Sequence, residues 1–404
     1  MRVLMLGWEF PPVISGGLGT ACYGLTKGLS HHGVAVTFVM PTGPKGVKGD
    51  YVKLLVADHE LKGKKIRIKT VDSIITPYQT SGSYNQDYAL AMKNGNSSGV
   101  LYGRNLFDEV KRYAERVKFI AMNEDFDIIH AHDWMTYQAG VKAKEVSGKP
   151  LVVHIHATEF DRTGGHGLNQ YVYDIERMGF HKADHIMAVS NYTKNLLVRH
   201  YGVSPEKITV VHNAVEFKEG SISMIKKKDK LVLFLGRITL QKGPDYFLEA
   251  AKRVLEKDPD VKFMFVGSGD MEVAMIEKAA AMGISSKVLF AGFLTGDDVS
   301  KAYQMADVYV MPSVSEPFGI TPLEAMRSRT PVIISKQSGV SEVVGHVLKV
   351  DFWDVKDIAS KILAVVLYRT LNDELTHHGA LEVSKMNWDV PAEKCLRVYE
   401  EAMR

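Results

Sequence analysis

The chain alternates short apolar segments, rich in β-branched residues, with longer segments of helical periodicity, and it does so in two successive series. A strand, a crossover helix and a second parallel strand form the unit that such alternation indicates. The sequence therefore predicts an α/β fold with two parallel sheets. The predicted strands lie at residues 2–6, 34–40, 127–131, 151–155, 185–189 and 208–211 in the first series, and at 231–235, 261–266, 288–291, 308–311, 331–335 and 347–350 in the second.

A polar stretch without sustained periodicity, FKEGSISMIKKKDK, separates the two series and is typical of a linker. A chain of 404 residues also exceeds what one hydrophobic core usually organises. We predict a first domain at 1–216, a linker at 217–230, a second domain at 231–386 and a final helix at 387–404. Ligands of open doubly wound sheets bind at the carboxyl ends of the strands, so a cleft between the domains is expected.

Composition restricts the function only broadly. Lys and Arg number 50 against 47 Asp and Glu, a balance that favours no nucleic-acid partner. We interpret the basic runs at 62–69 and 226–230 as solvated surface, the first of them as a half-exposed strand. Cys22 and Cys395 lie in predicted helices and suggest neither a disulfide nor a metal knuckle. The sequence shows no secretory signal and no apolar stretch of membrane-spanning length, so we expect a cytoplasmic protein without a membrane partner. It does not indicate the oligomeric state.

Three segments follow predicted strands and carry groups that suit a phosphorylated ligand. The turn at 7–20 places Gly16 and Gly17 directly before a helix, where backbone N–H groups can approach an anion. Its spacing is not GxGxxG, and a turn that only packs is the alternative. After the first strand of the second series come Gly236, Arg237 and Lys242, which could hold a diphosphate.

The third segment, SEPFGITPLE at 315–324, places Glu316 on a loop and Glu324 in the first turn of a helix. Thr321, Pro322 and Glu324 fit the N-cap, N1 and N3 positions of a capping box, which would give Glu324 a structural role. The residues before this helix could direct their backbone N–H groups at an anionic or hydroxyl-rich ligand: Phe318, Gly319 and Ile320.

With these motifs in order, the chain resembles the retaining GT-B glycosyltransferases, especially the glycogen and starch synthases and related GT4-type α-glycosyltransferases. The most specific element is the Glu-x7-Glu spacing of Glu316 and Glu324, supported by GGxG, HAHDW, Gly-Arg with a following Lys-Gly, and the GSGD turn. The resemblance implies two Rossmann-like doubly wound domains that face each other across a cleft. It also implies that the C-terminal helix crosses back to the first domain.

The resemblance also implies roles for individual residues. Arg237 and Lys242 would neutralise the leaving diphosphate, Glu324 would bind the ribose hydroxyls, and Glu316 would lie beside the transferred sugar. Gly17 would bring its amide to the diphosphate. The residues implied to line the nucleotide sugar are Gly16, Gly17, Gly236, Gly267, Gly269, Phe293, Leu294, Phe318, Gly319, Ile320, Thr321 and Glu324.

Two pairs of histidines alternate along neighbouring strands, His130 with His132 and His154 with His156. Alternation places each pair on one face of its strand, where it could ligate zinc or iron. The sequence does not identify the remaining ligands or their outer contacts, and we expect no metal cofactor. The resemblance implies instead that His156 contacts the transferred sugar and that Asp133 lies nearby at the cleft. We expect His130 and His154 to pack or form hydrogen bonds within the sheet ends.

Two departures from the bacterial ADP-glucose-dependent synthases weaken a preference for ADP-glucose: Ile14 replaces a lysine before the paired glycines, and Thr20 replaces an aspartate after them. The polar, glycine-containing segment 157–177 could line the acceptor side. Residues 258–260, Asp-Pro-Asp, formally match the metal motif of GT-A enzymes, but they lie between a predicted helix and strand and are interpreted as a turn.

We predict an enzyme that transfers glucose from ADP-glucose or UDP-glucose to an α-glucan, with retention of anomeric configuration. One alternative is a GT4-type enzyme acting on another sugar or a small-molecule acceptor, and another is a non-catalytic nucleotide-sugar-binding protein. A dehydrogenase would show GxGxxG and a ribose-binding acid about 20 residues further on, and a metallohydrolase would use the histidines.

Overall fold

A computed structural model describes residues 1–11, 16–41, 52–56, 61–62, 65–66, 106–165, 167–216 and 229–404. The first lobe is built on a parallel seven-stranded sheet with the order β3-β2-β1-β4-β5-β6-β7. Its strands are Arg2–Leu6 (β1), Ala35–Met40 (β2), Lys53–Val56 (β3), Ile128–His132 (β4), Leu151–Ile155 (β5), His185–Ala188 (β6) and Ile208–Val210 (β7).

The second lobe is built on a parallel six-stranded sheet with the order β10-β9-β8-β11-β12-β13. Its strands are Leu231–Leu235 (β8), Lys262–Val266 (β9), Val288–Phe290 (β10), Val308–Met311 (β11), Val332–Ser335 (β12) and Leu348–Val350 (β13). In both sheets the strand order reverses beside the first strand. The carboxyl ends of β1 and β4, and of β8 and β11, therefore border the crevices where such sheets bind ligands.

Helices connect the strands, and buried apolar residues pack on both faces of each sheet. The helices are Gly17–His31 (α1), Leu106–Asn123 (α2), Trp134–Ser147 (α3), Glu159–Thr163 (α4), Gln170–Lys182 (α5), Asn191–Tyr201 (α6), Pro244–Leu255 (α7), Glu272–Ala281 (α8), Asp297–Met305 (α9), Thr321–Arg327 (α10), Val355–Leu367 (α11), Arg369–Val383 (α12) and Asp389–Ala402 (α13). Within the ranges given above, no helix is both long and apolar enough to cross a lipid bilayer.

The predicted α/β fold is confirmed, and each of the twelve predicted strands is present to within one residue at either end. The prediction missed β3, the edge strand of the first sheet. Within the basic run at 62–69, the structure describes Lys62, Lys65 and Ile66. Residues 61–62 and 65–66 pair as two short antiparallel strands. Most of the predicted linker, residues 217–228, lies outside the described ranges, so the domain boundaries remain predictions.

The C-terminal helix packs on the first lobe. At Gly24 of α1 a β-carbon would lie 2.1 Å from the Trp388 ring, and at Gly28 it would lie 2.5 Å from the Trp388 carbonyl oxygen, so helix contact requires glycine at both positions. Further along α13, the Cys395 sulfur lies 3.4 Å from the Met187 sulfur of β6. The crossover that the resemblance implied is therefore present.

Candidate active site

The turn after β8 is built from glycines that allow close backbone contact. Gly236 has φ +156° and Gly267, after β9, has φ +129°; a β-carbon on Gly267 would lie 2.0 Å from the Gly236 carbonyl oxygen. A β-carbon on Gly269 would lie 2.3 Å from the carbonyl oxygen of Ile238. The GSGD turn thus supports the turn that carries Arg237. Whether its glycines also contact a nucleotide remains a prediction.

Lys242 lies at the end of a short turn, and the residue after it packs closely against the backbone of the loop after β11. Gly243 follows with φ +65°, and a β-carbon there would lie 2.2 Å from the Pro312 carbonyl oxygen. The Lys242 ammonium forms an ion pair with Glu316, whose side chain is 8% exposed against 20% for the lysine. The hydroxyl of Ser313 donates to the same carboxylate oxygen at 3.2 Å. The structure therefore joins two predicted site residues that are 74 positions apart.

Arg237 lies on the same turn as Lys242, at the carboxyl end of β8. Its guanidinium donates to the side-chain oxygen of Gln241 at 3.1 Å. Gln241 is buried, and its carbonyl oxygen accepts a hydrogen bond from the amide of Val314 at 2.9 Å. Sequence reasoning missed Gln241, which ties the Arg237 turn to the loop after β11. A pocket between β8 and β11 is lined by Gly236, Lys242, Ser313 and Thr321, among others.

The capping box predicted at 321–324 is wrong. Helix α10 begins at Thr321 with Ile320 as its N-cap, and no side chain caps it. The Thr321 hydroxyl instead accepts from the Tyr309 hydroxyl at 2.9 Å. Glu324 accepts from the Tyr303 hydroxyl at 3.1 Å. Burial raises the pKa of Glu324, although the Arg327 charge and the Tyr303 hydrogen bond oppose this shift.

The segment before α10 is closely packed at Gly319 and Phe318. Gly319 has φ +100°, and a β-carbon there would contact Glu316, Met311 and Val340 at 3.2 to 3.3 Å. Phe318 is buried, and its carbonyl oxygen accepts from the Val340 amide at 2.7 Å. Their role as amide donors to a sugar phosphate, shared with Ile320, remains a prediction.

The glycine turn of the first lobe has an acidic partner that the sequence reading missed. Gly16 precedes α1, and Gly17 begins it with open space where a β-carbon would stand. Glu9, buried after β1, accepts a hydrogen bond from the Gly19 amide at 3.2 Å. A protein carboxylate therefore lies at the beginning of this helix, in a place where the sequence predicts an anion. Ile14 lies outside the described residues.

Asp133 and His156 form one unit at the ends of β4 and β5. Asp133 has φ +59°, and its carboxylate accepts from the amides of His156 at 2.7 Å and Ala157 at 3.3 Å. Burial raises the pKa of Asp133 to about 7 despite these bonds and the charge of Arg162. Burial also lowers the pKa of His156 to about 3, so its imidazole is neutral near pH 7. Asp133 thus fixes the turn that presents His156.

The two lobes touch through side chains that the sequence reading did not single out. Asp161 of α4 is fully buried and accepts from the Ser315 hydroxyl at 2.5 Å. The Tyr192 hydroxyl lies 2.9 Å from the same serine oxygen. Ser190 donates to the carbonyl oxygen of Pro317 at 2.6 Å. These contacts fix both neighbours of Glu316 against the first lobe. Asp161 brings the segment 157–177 into contact with the second lobe, and the acceptor-side role expected for this segment remains a prediction.

A second contact between the lobes is centred on Glu342. Its carboxylate accepts from the amides of Asn191 and Tyr192 at the start of α6, and it lies 2.9 Å from His212 Nε2. Partial burial alone would raise the pKa of Glu342, but these hydrogen bonds outweigh it and lower the pKa to about 2. Glu342 is therefore ionised near pH 7.

The remaining predicted residues lie at the rim of the second lobe. Phe293 and Leu294 follow β10, and the Phe293 side chain is 63% exposed.

The predicted turn at Asp258 is confirmed: it lies between α7 and β9, and its carboxylate accepts from Lys230 Nζ at 2.7 Å and the Asp260 amide at 3.1 Å. It lies away from the carboxyl ends of the strands.

Two glycosyltransferase family models and several known proteins are similar to this chain. Residues 95–219 match the family model "Glycosyltransferase Family 4", and residues 217–379 match "Glycosyl transferases group 1". An uncharacterized glycosyltransferase of Methanocaldococcus jannaschii is 27% identical over 423 residues, covering 100% of this chain and 99% of that protein. A glycogen synthase of Mycobacterium tuberculosis is 26% identical over 352 residues, covering 85% of this chain and 80% of that protein.

Solved structures show the same fold at low sequence identity. Sucrose-phosphate synthase from Thermosynechococcus elongatus aligns with a TM-score of 0.74 at 16% identity, covering 99% of this chain and 98% of that one. HepE of Anabaena, crystallised with UDP and glucose, aligns with a TM-score of 0.69 at 16% identity, covering 99% and 100%. The chain belongs to the GT4-type glycosyltransferases and has their two-lobed GT-B fold.

Proposed function

We propose that this glycosyltransferase moves glucose from a nucleoside diphosphate glucose to an α-glucan and retains the anomeric configuration. The observation that carries the proposal is the cationic turn after β8, where Lys242 pairs with Glu316 and Arg237 lies on the same turn. A leaving diphosphate develops negative charge as the bond from the sugar carbon to oxygen breaks. Two fixed cations at the ligand-binding end of the sheet are suited to stabilise that charge.

The proposed reaction needs no protein nucleophile. The acceptor hydroxyl forms the new bond to the sugar carbon, the old bond to the diphosphate breaks, and the hydroxyl proton passes to the departing phosphate oxygen. In this proposal Lys242 and Arg237 supply the positive charge, and no metal is required. Glu316 lies beside the sugar, and Glu324 holds the ribose.

Glucan synthesis is proposed because the glycogen synthase of M. tuberculosis is similar over 85% of this chain. A second candidate has its own support: a D-inositol 3-phosphate glycosyltransferase of Streptomyces bingchenggensis is 29% identical over 69% of the chain. Transfer to a small polyol phosphate is therefore the alternative. For the donor, Ile14 and Thr20 weaken the case for ADP-glucose.

The test is a screen of donors against acceptors that follows release of nucleoside diphosphate. UDP-glucose and ADP-glucose are each offered with glycogen, maltooligosaccharides and inositol phosphate, and the product linkage is assigned by NMR. The proposal expects acceptor-dependent release with glucan and an α-linked product. Release only with the polyol phosphate would favour the second candidate, and tight donor binding without any transfer would indicate a binding protein.

A pair of variants tests the site assignment with whichever acceptor the screen identifies. Arg237→Ala should lower turnover about 10²-fold or more, as the loss of a group that stabilises transition-state charge does. Arg253→Ala is the matched control, because Arg253 is exposed near the end of α7. Equal turnover of the two variants would contradict the role given to Arg237.

A further inference from the structure

Four imidazoles lie together at the carboxyl ends of β4 and β5, under the C-terminal helix. The rings of His130 and His132 are 4.2 Å apart, and His154 lies 5.4 Å from the first and 5.3 Å from the second, between ring centroids. These three side chains are at most 1% exposed. One ring nitrogen from each lies within 4.8 Å of the other two. The strand pairing that aligns His132 with His154 places the rings on one face.

Several nitrogen atoms of this cluster have no hydrogen-bond partner among the residues that the structure describes. They are His130 Nε2, His132 Nε2 and both ring nitrogens of His154. A buried polar atom without a partner costs about 1 to 3 kcal/mol. One nitrogen from each of the three rings could be completed by a single shared ligand.

The other nitrogens of two of these rings do have partners. His130 Nδ1 lies 2.6 Å from the Tyr399 hydroxyl of α13, and His132 Nδ1 lies 2.9 Å from His156 Nε2. When Nδ1 carries the proton in such a contact, Nε2 keeps a lone pair. Metal-binding histidines usually have this outer hydrogen bond, which fixes the tautomer and the ring orientation. The structure thus supplies the outer contacts that the sequence could not identify.

We infer that His130, His132 and His154 form a buried site for one divalent transition-metal ion, most naturally Zn²⁺, whose fourth ligand is water. Imidazole nitrogens bind zinc at about 2.0 to 2.1 Å. In a tetrahedral site with these bond lengths two ligand nitrogens are about 3.3 Å apart, so the rings, whose nitrogens now lie within 4.8 Å of one another, would have to rotate to bind the ion. The ion would join β4 and β5 to α13 through Tyr399.

This site is separate from the proposed transfer chemistry. In the proposed reaction, the charge on the leaving diphosphate is met by Arg237 and Lys242 of the second lobe, and His156, the histidine implied to contact the sugar, is not one of the three metal ligands. The proposed metal therefore stabilises the first lobe and its crossover helix. Metal content and glycosyl transfer are measured by separate assays, so failure of the metal inference is distinguished from failure of the proposed function.

The test uses the full chain without an affinity tag, loaded with Zn²⁺ or Co²⁺ and passed through gel filtration. Metal content is measured by mass spectrometry, affinity by competition with a chromophoric chelator, and Co²⁺ geometry by its visible absorption. The variants are His154→Phe, which removes a ligand, and Tyr399→Phe, which keeps the ligands and the aromatic packing but removes the outer hydrogen bond. His378→Ala is the control, since that imidazole is 46% exposed on α12.

The wild type and the control should retain about one ion per chain, with a Co²⁺ spectrum of tetrahedral type. His154→Phe should lose it, and Tyr399→Phe should bind about 10- to 100-fold more weakly, the usual effect of losing an outer contact. The inference is wrong if the wild type retains no more metal than His154→Phe. Equal affinities of the wild type and Tyr399→Phe would overturn it as well, and that comparison holds even where His154→Phe does not fold.

Discussion

The ion pair between Lys242 and Glu316 predicts that stability and catalysis respond differently to the same substitutions. Lys242→Met leaves a carboxylate that is 8% exposed with Ser313 as its hydrogen-bond donor. Breaking a buried pair from one side costs about 3 to 5 kcal/mol, and because the lysine is 20% exposed we expect about 2 to 3 kcal/mol. Glu316→Gln leaves a cation that water can reach, so about 1 to 2 kcal/mol is expected.

The double variant Lys242→Met with Glu316→Gln contains no uncompensated charge, so it should recover about 1 to 2 kcal/mol relative to the sum of the single variants. Urea unfolding measures this coupling, and Lys257→Met, at an exposed lysine, is the control. Turnover, followed by release of nucleoside diphosphate, should remain about 10²-fold or more below wild type in the double variant, because the cation is still missing. Recovery of turnover together with stability would refute the reasoning. It would mean that Lys242 acts by neutralising the Glu316 carboxylate and not on the diphosphate.

Three further predictions concern the lobe contacts and the loop before α10. Ser315→Ala leaves the buried Asp161 carboxylate without its partner in the second lobe. It should raise KM for the donor more than it lowers kcat. Steady-state kinetics measure both constants, and Ser328→Ala is the control. Glu342→Gln should cost about 1 to 2 kcal/mol at pH 7, a value reduced for the 22% exposure of the carboxylate. Because the folded-state pKa of Glu342, about 2, is below its ordinary value of 4.5, this contribution is complete above pH 4.5 and is lost as the pH falls towards 2; a difference in unfolding free energy that does not shrink with acid would contradict it. Gly319→Ala should lower the affinity for nucleoside diphosphate, while Gly33→Ala, at an open site with positive φ, should not; calorimetry with nucleoside diphosphate measures both.

The strands were predictable because each buried strand is a short run of apolar residues between helices, and such a run is visible in the local sequence. Strand β3 was missed because it is four residues long and lies at the sheet edge, where pairing on one side demands less of its sequence. Lys242 and Glu316 meet because both lie after strands that are neighbours in the second sheet, a pairing that the sequence analysis did not predict.

The capping box failed for a physical reason. A Thr-x-x-Glu pattern specifies a cap only when the hydroxyl and the carboxylate are available to the backbone, and here Tyr309 and Tyr303 bind them. Both tyrosines come from earlier elements, so no local pattern reports them. The contact between Asp161 and Ser315 joins residues 154 positions apart, and the contact between His130 and Tyr399 joins residues 269 apart. Such pairs depend on how the lobes and the last helix pack.

A structure of the protein with UDP or ADP bound tests most directly whether Arg237 and Lys242 bind the diphosphate. We expect the diphosphate to lie within salt-bridge distance, about 4 Å or less, of both residues at the carboxyl end of β8, with the ribose next to Glu324. A diphosphate bound elsewhere, with both cations directed away from it, would show that they do not have this role.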